Sequence, residues 1–119
     1  MKVLVIYYSQ TGKTKKLAEE IVKNFEIVGN KVRLESIEPV EEKDYGTNGR
    51  EAKEGVEAKI KPTVGDVSGY DLICIGTPVW SSSPATPVNG YIAGVTGIKG
   101  MEVACFATSG GGSRESTFR

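Results

Sequence analysis

The sequence predicts an α/β fold, a doubly wound and mostly parallel sheet in the strand order 2-1-3-4. Three observations predict it. Two largely apolar runs, 3–8 and 71–76, have the composition of strands buried on both faces. A third run, 31–37, alternates polar and apolar residues, as a strand with one wet face does. An amphipathic helical repeat separates the first run from the alternating one, and a helical crossover implies parallel strands joined with right-handed connections. The continuous strands therefore belong in the middle of the sheet and the alternating one outside.

The elements follow in order. Val3-Leu4-Val5-Ile6-Tyr7-Tyr8 is continuous and rich in β-branched residues. Leu17, Ala18, Ile21, Val22 and Phe25 then recur at helical spacing, with Lys15, Lys16, Glu19, Glu20 and Lys23 opposite, which predicts a helix over 13–27. Gly29-Asn30 ends it. Charges of both signs crowd 41–61, where a weak helix is expected over 50–61. Asn48 would cap it, Glu51 would take its third position, and Ala52, Val56 and Ile60 would form a narrow stripe. Pro62 would stop it. The plainest role for these charges is a solvated helix face. Leu72-Ile73-Cys74-Ile75 forms the third strand. Pro84 and Pro87 fit a loop and a first helical turn, and Val88, Tyr91, Ile92 and Val95 form a short helical face. Val103-Ala104-Cys105-Phe106-Ala107 is the fourth strand, apolar like a central one.

Composition bounds the function. The 119 residues make one domain, 1–119. Fifteen basic and fifteen acidic residues cancel, which gives no electrostatic reason to bind nucleic acid or an anionic membrane. The longest apolar run falls far short of the ~20 residues of a membrane span, and residues 1–8 lack a signal-peptide pattern, so a cytoplasmic protein is expected. There is no His, which removes Ser-His and Cys-His nucleophile pairs and most zinc sites; no metal site is expected. Cys74 and Cys105 fall mid-strand and suit buried packing better than a redox pair.

In a doubly wound sheet a ligand binds where the chain leaves the C-terminal ends of the strands flanking the switch point. Those exits are Ser9-Gln10-Thr11-Gly12-Lys13-Thr14 and Thr77-Pro78-Val79-Trp80-Ser81-Ser82-Ser83. Thr108-Ser109-Gly110-Gly111-Gly112-Ser113 follows the fourth strand on the same side. In the first loop Gly12 permits a tight turn, and hydroxyls of Ser9, Thr11 and Thr14 join the N–H groups of a helix start, a site for one phosphate or simply a capped helix. A nucleotide-triphosphatase P-loop is excluded, because the position five residues before Gly12 is Tyr7 rather than Gly. No G-x-G-x-x-G dinucleotide fingerprint follows a strand. Trp80, the single Trp, suits a wall for a flat π-system or a place in the core. The Gly110–Gly112 run allows close approach to a ligand edge or a flexible turn.

These segments resemble a known family. Val5 to Thr14 is similar to the phosphate-binding signature of flavodoxins and flavodoxin-like FMN proteins. Tyr70 to Trp80 resembles their third strand and first flavin loop, and Phe106 to Gly112 their second flavin loop. The resemblance implies an FMN cofactor with its phosphate at Ser9, Gln10, Thr11, Gly12, Lys13 and Thr14. It places Thr77, Pro78, Val79, Trp80, Ser81 and Ser82 along one side of the isoalloxazine, with Trp80 the stacking ring. It places Thr108, Ser109, Gly110 and Gly111 at the pyrimidine edge. The implied function is electron transfer through a non-covalent flavin, with a redox partner protein or a nicotinamide donor. The alternatives are a small NAD(P)H-dependent FMN or quinone reductase, or a flavodoxin-like assembly module with weak or no FMN binding. The sequence departs from the family in three places. Lys13 stands where relatives often have Asn, the second flavin loop lacks an aromatic residue, and the chain stops at Arg119, before the family's fifth strand and last helix. An apolar fourth strand left without a neighbour implies a homo-oligomer whose interface includes 101–119.

Overall fold

The computed structural model describes residues 1–43, 45–80 and 83–108. Its strands and helices are β1 (Lys2–Tyr7), α1 (Lys13–Ile27), β2 (Lys31–Ser36), α2 (Tyr45–Lys53), β3 (Leu72–Trp80), β4 (Ser83–Pro84), α3 (Thr86–Gly94) and β5 (Glu102–Thr108). The parallel strands lie in the order β2-β1-β3-β5, with Val3 opposite Val32 on one side and Leu72 on the other. This is the expected 2-1-3-4 order, the expected fourth strand being β5. Two-residue β4 is an addition, folded back antiparallel on Val79 and Trp80.

Alternation along β1 divides the core between the two faces of the sheet. Val3, Val5 and Tyr7 pack with Cys74 against Ala18 of α1, with Ile21, Val22 and Phe25 at the margin. Leu4, Ile6 and Tyr8 pack with Ile73 and Ile75 against Ala52, Val88 and Tyr91 from α2 and α3. Both faces of β1 are therefore dry, as its continuous apolar sequence requires. Helix α1 takes the expected bounds and closes as expected, the Gly29 N–H donating to the Glu26 carbonyl (3.0 Å) and the Asn30 N–H to that of Phe25 (3.1 Å).

Several expectations change. Helix α2 begins before the predicted 50–61 helix and ends at Lys53; the Gly55 N–H donates to the Ala52 carbonyl (3.0 Å) and the Val56 N–H to that of Glu51 (2.9 Å). Asn48 is a buried residue inside it rather than its cap, donating from its side-chain amide to the Lys43 carbonyl (3.1 Å). Residues around Ile60 instead run beside 38–40: the Val40 N–H donates to the Lys59 carbonyl (2.9 Å) and the Lys61 N–H to the Glu38 carbonyl (2.8 Å). A stripe of one apolar residue per turn could not outweigh that backbone pairing.

The third strand runs to Trp80 rather than ending at Gly76, because β5 accompanies it as far as the Pro78–Thr108 pair and β4 takes over from there. Thr77 to Trp80 are thus strand, not loop, and Pro84 lies in β4. Gly76 allows the parallel pair to close: a Cβ there would stand 2.3 Å from the Phe106 ring, which lies across it.

In α3, Val88 and Tyr91 are buried as expected, whereas Ile92 is 47% exposed. In β5, Glu102 to Cys105 are exposed, so Cys105 is not a buried packing residue. Among the described residues nothing pairs with its outer side. Apolar composition cannot distinguish a central strand from this position. Cys105 pairs in register with Ile75 and Cys74 with Ala104, which sends the two thiols to opposite faces and rules out a disulfide between them.

Candidate functional site

At the C-terminal end of β1 the chain turns through Ser9–Gly12 into α1. The Gly12 N–H donates to Ser9 Oγ (3.0 Å), and the Gly12 carbonyl accepts the first helical bond, from the Lys16 N–H (3.0 Å). Gly12 has φ +95°, a left-handed conformation that an L side chain adopts at a cost, and nothing lies within 4 Å of the position a Cβ would take. No side chain caps the helix, because its N-cap position is Gly12. The first N–H groups of α1 therefore keep their donors, with the helix dipole behind them. The first turn carries no acidic residue, and Lys13, Lys15 and Lys16 are all exposed around it. The simple capped-helix role does not apply; these groups form a positive, donor-rich cradle suited to an anion such as phosphate.

Two hydrogen bonds bring the other exits to this cradle. Thr14 is buried in the first turn of α1, and its Oγ1 lies 2.7 Å from Thr108 Oγ1 at the end of β5. Gln10 projects from the loop and accepts the Trp80 indole N–H at its Oε1 (3.1 Å). Trp80 is only 9% exposed and stands edge-on to Tyr8, ring centroids 5.6 Å apart and planes at 85°. It belongs to the core on the α2–α3 face while its indole nitrogen reaches the site. Thr77 is buried, its hydroxyl donating to the Pro78 carbonyl (2.8 Å) and accepting the Ala85 N–H (2.9 Å), and so shapes the bend into α3.

The remaining expected positions are less constrained. Gln10, Thr11 and Lys13 are exposed, and Ser9, Gly12, Pro78, Val79 and Thr108 are half-buried. Ser81, Ser82, Ser109, Gly110 and Gly111 lie outside the described residues. Sequence reasoning missed a small crevice on the α2–α3 side of the sheet, lined by Tyr8, Trp80, Glu42, Lys43, Asn48 and Thr86. Its one legible signal was alternation, which puts Tyr8 on the Leu4–Ile6 face at the exit of β1. Burial, with a smaller contribution from the Glu42 charge, pushes the Tyr8 phenol up to about 12. Lys43 is held by Glu51 at 2.8 Å. Among the described residues no cluster of Cys, Asp and Glu could hold a metal ion, and no helix is long and apolar enough to cross a membrane.

The geometry has counterparts in known proteins. The family model for flavodoxin matches residues 2–119. This chain belongs to the flavodoxin family. A flavoprotein from Lactobacillus acidophilus, solved in complex with FMN, is 32% identical to this flavodoxin-family chain, with a TM-score of 0.67 over 98% of it and 80% of the other. A Bacteroides eggerthii protein is 30% identical, with a TM-score of 0.72 over 94% of this chain and 72% of the other. Oxidised Flavodoxin 2 from Bacillus cereus, 18% identical with a TM-score of 0.58, covers 96% of this chain and 65% of its own length, and shares the fold. No curated protein matches the chain at a significant level. A flavodoxin-family sheet accounts for the convergence of 9–14, 77–80 and 108 at one end, since 9–14 follow β1 and the other two are the C-terminal ends of the parallel strands β3 and β5.

Proposed function

We propose that this protein binds FMN non-covalently at the C-terminal end of its sheet and carries electrons through it. The observation that carries the reading is the uncapped, lysine-flanked start of α1, tied directly to Trp80 and Thr108. A phosphate monoester dianion would receive the free N–H groups of the first helical turn and the Thr11 hydroxyl, with Lys13 adding charge complementarity. Trp80 and Tyr8 supply an aromatic boundary beside it. When bound, FMN supplies reversible one- and two-electron chemistry, and the protein sets its potential through contacts and nearby charge. Its residues would bind, orient and shield the flavin. The flavoprotein from Lactobacillus acidophilus, bound to FMN, supports the reading.

The test is titration of flavin-free protein with FMN, followed by flavin fluorescence. Saturable binding of one FMN per chain is expected; no binding at micromolar concentrations would overturn the proposal. Mixing the loaded protein with a nicotinamide donor then separates a carrier, which stays oxidised until a protein or chemical reductant is added, from a reductase, which is bleached directly.

A further inference from the structure

We propose that the crevice on the α2–α3 side of the sheet is a binding site for a primary ammonium group, as carried by a small amine or a lysine side chain. It shares no residue with the cradle at the start of α1 and exists with or without FMN. Three polar side chains in its lining are more than nine-tenths buried: Tyr8 (4% exposed), Asn48 (6%) and Thr86 (3%). Among the described residues the Tyr8 and Thr86 hydroxyls make no hydrogen bond, and neither oxygen is sealed from solvent. Asn48 spends its amide nitrogen on the Lys43 carbonyl (3.1 Å), and its amide oxygen accepts no bond from a described residue. Buried polar groups are nearly always satisfied, so three open oxygens around one opening point to a ligand.

Size, donors and charge select the ligand. The opening has room for one water-sized group. A primary ammonium has that size and three N–H donors, matching the three oxygens, whereas water has two donors and a guanidinium is too large. Glu41 and Glu42 stand exposed at the rim. Burial first and the Glu42 charge second hold the proton on the Tyr8 phenol, so this carboxylate acts on the interior of the crevice. Lys43 also lines it but is paired with Glu51 at 2.8 Å and brings no free charge. The start of α3, which borders the crevice at Thr86 and Pro87, is closed to an anion. Pro87 has no N–H, and those of Val88 and Asn89 both donate to the Ala85 carbonyl (3.0 and 3.2 Å). Tyr8 and Trp80 supply aromatic walls, which attract a cation.

The experiment titrates methylammonium chloride into the isotope-labelled whole chain at constant ionic strength, followed by amide NMR shifts and by Trp80 emission. Saturable shifts centred on Tyr8, Asn48 and Thr86 are expected. Tetramethylammonium, with no N–H to donate, should leave these amides unmoved, and potassium should bind about tenfold more weakly. Glu42→Gln and Thr86→Val should each weaken methylammonium about tenfold, the worth of one hydrogen bond to a charged group. A lysine blocked at both ends, titrated in parallel, separates the two sources. Shifts at the same residues would extend the site to a lysine side chain of another protein, and their absence would confine it to small amines; either supports the proposal. Methylammonium that moves none of these amides would leave the crevice to water and overturn it. So would an equal response to potassium or to tetramethylammonium, or an affinity unchanged in either variant. If Thr86→Val does not fold, as judged by circular dichroism, Glu42→Gln on the exposed rim decides alone.

Discussion

The indole N–H of Trp80 donates to Gln10 Oε1 at 3.1 Å, linking the end of β3 to the loop that follows β1. The ring that the family resemblance implies as the flavin's stacking wall is thereby held at one end by the loop after β1 and along its edge by Tyr8. The two halves of the candidate site share a strut, so occupancy of one should be felt at the other. Trp80 is the chain's only Trp, which makes its emission a direct report on that strut. Gln10→Ala should shift the emission and cost about 0.5–1.5 kcal/mol of stability through the lost hydrogen bond. Steady-state fluorescence and urea denaturation check this; identical spectra and midpoints would mean that Gln10 does not hold the ring. Because Trp80 is largely buried, Trp80→Ala should cost about 3–5 kcal/mol as a core truncation. Trp80→Phe is the better probe of stacking.

Thr11 and Thr14 should separate by burial. Thr11 is exposed, so Thr11→Ala should leave stability within about 0.5 kcal/mol of wild type while weakening FMN binding. Thr14 is buried and bonded to Thr108, so Thr14→Ala should lower both, stability by about 1–3 kcal/mol. Parallel denaturation and FMN titration distinguish them. A destabilised Thr11→Ala, or a fully stable Thr14→Ala, would contradict the arrangement.

Gly76→Ala should destabilise the pairing of β3 with β5. The added methyl would meet the Phe106 ring at 2.3 Å, and overpacking of this kind costs about 1–3 kcal/mol. Phe106→Leu should recover part of the loss in the double variant. If the two changes are additive in urea denaturation, the ring does not lie over Gly76.

Stability should fall on the alkaline side. Burial pushes Tyr8 and Tyr91 from 10.0 up to about 12 and Cys74 from 9.0 to about 11, with smaller contributions from Glu42, Tyr70 and Cys105 respectively. Each group keeps its proton longer folded than unfolded. Between those values the unfolded chain binds fewer protons, so unfolding becomes easier as pH rises. The stabilisation from these groups is complete below about pH 9 and declines from there towards pH 12. Urea denaturation at successive pH values should show that decline, and Tyr8→Phe should flatten it. A free energy unchanged up to pH 11 would contradict the assignment.

The sequence alone determined the order of the sheet, the bounds of α1 and the location of the cradle. These follow from local rules. Two-sided burial writes a continuous apolar run at Val3–Tyr8, one-sided burial writes alternation at 31–37, and a helix writes its period at Leu17–Phe25. Tertiary structure alone decided where the third strand ends, where α2 lies and what Trp80, Thr14 and Thr108 touch. Thr77 to Trp80 carry no stronger strand pattern than a loop would; they are strand because β4 and β5 offer hydrogen bonds there. Asn48 and Ile60 changed roles because 38–40 provided backbone partners for the chain around Ile60. The Thr14–Thr108 bond joins residues 94 positions apart, and the Trp80–Gln10 bond residues 70 apart. No periodicity encodes such a pair, because the contact exists only once separate strands have been brought side by side.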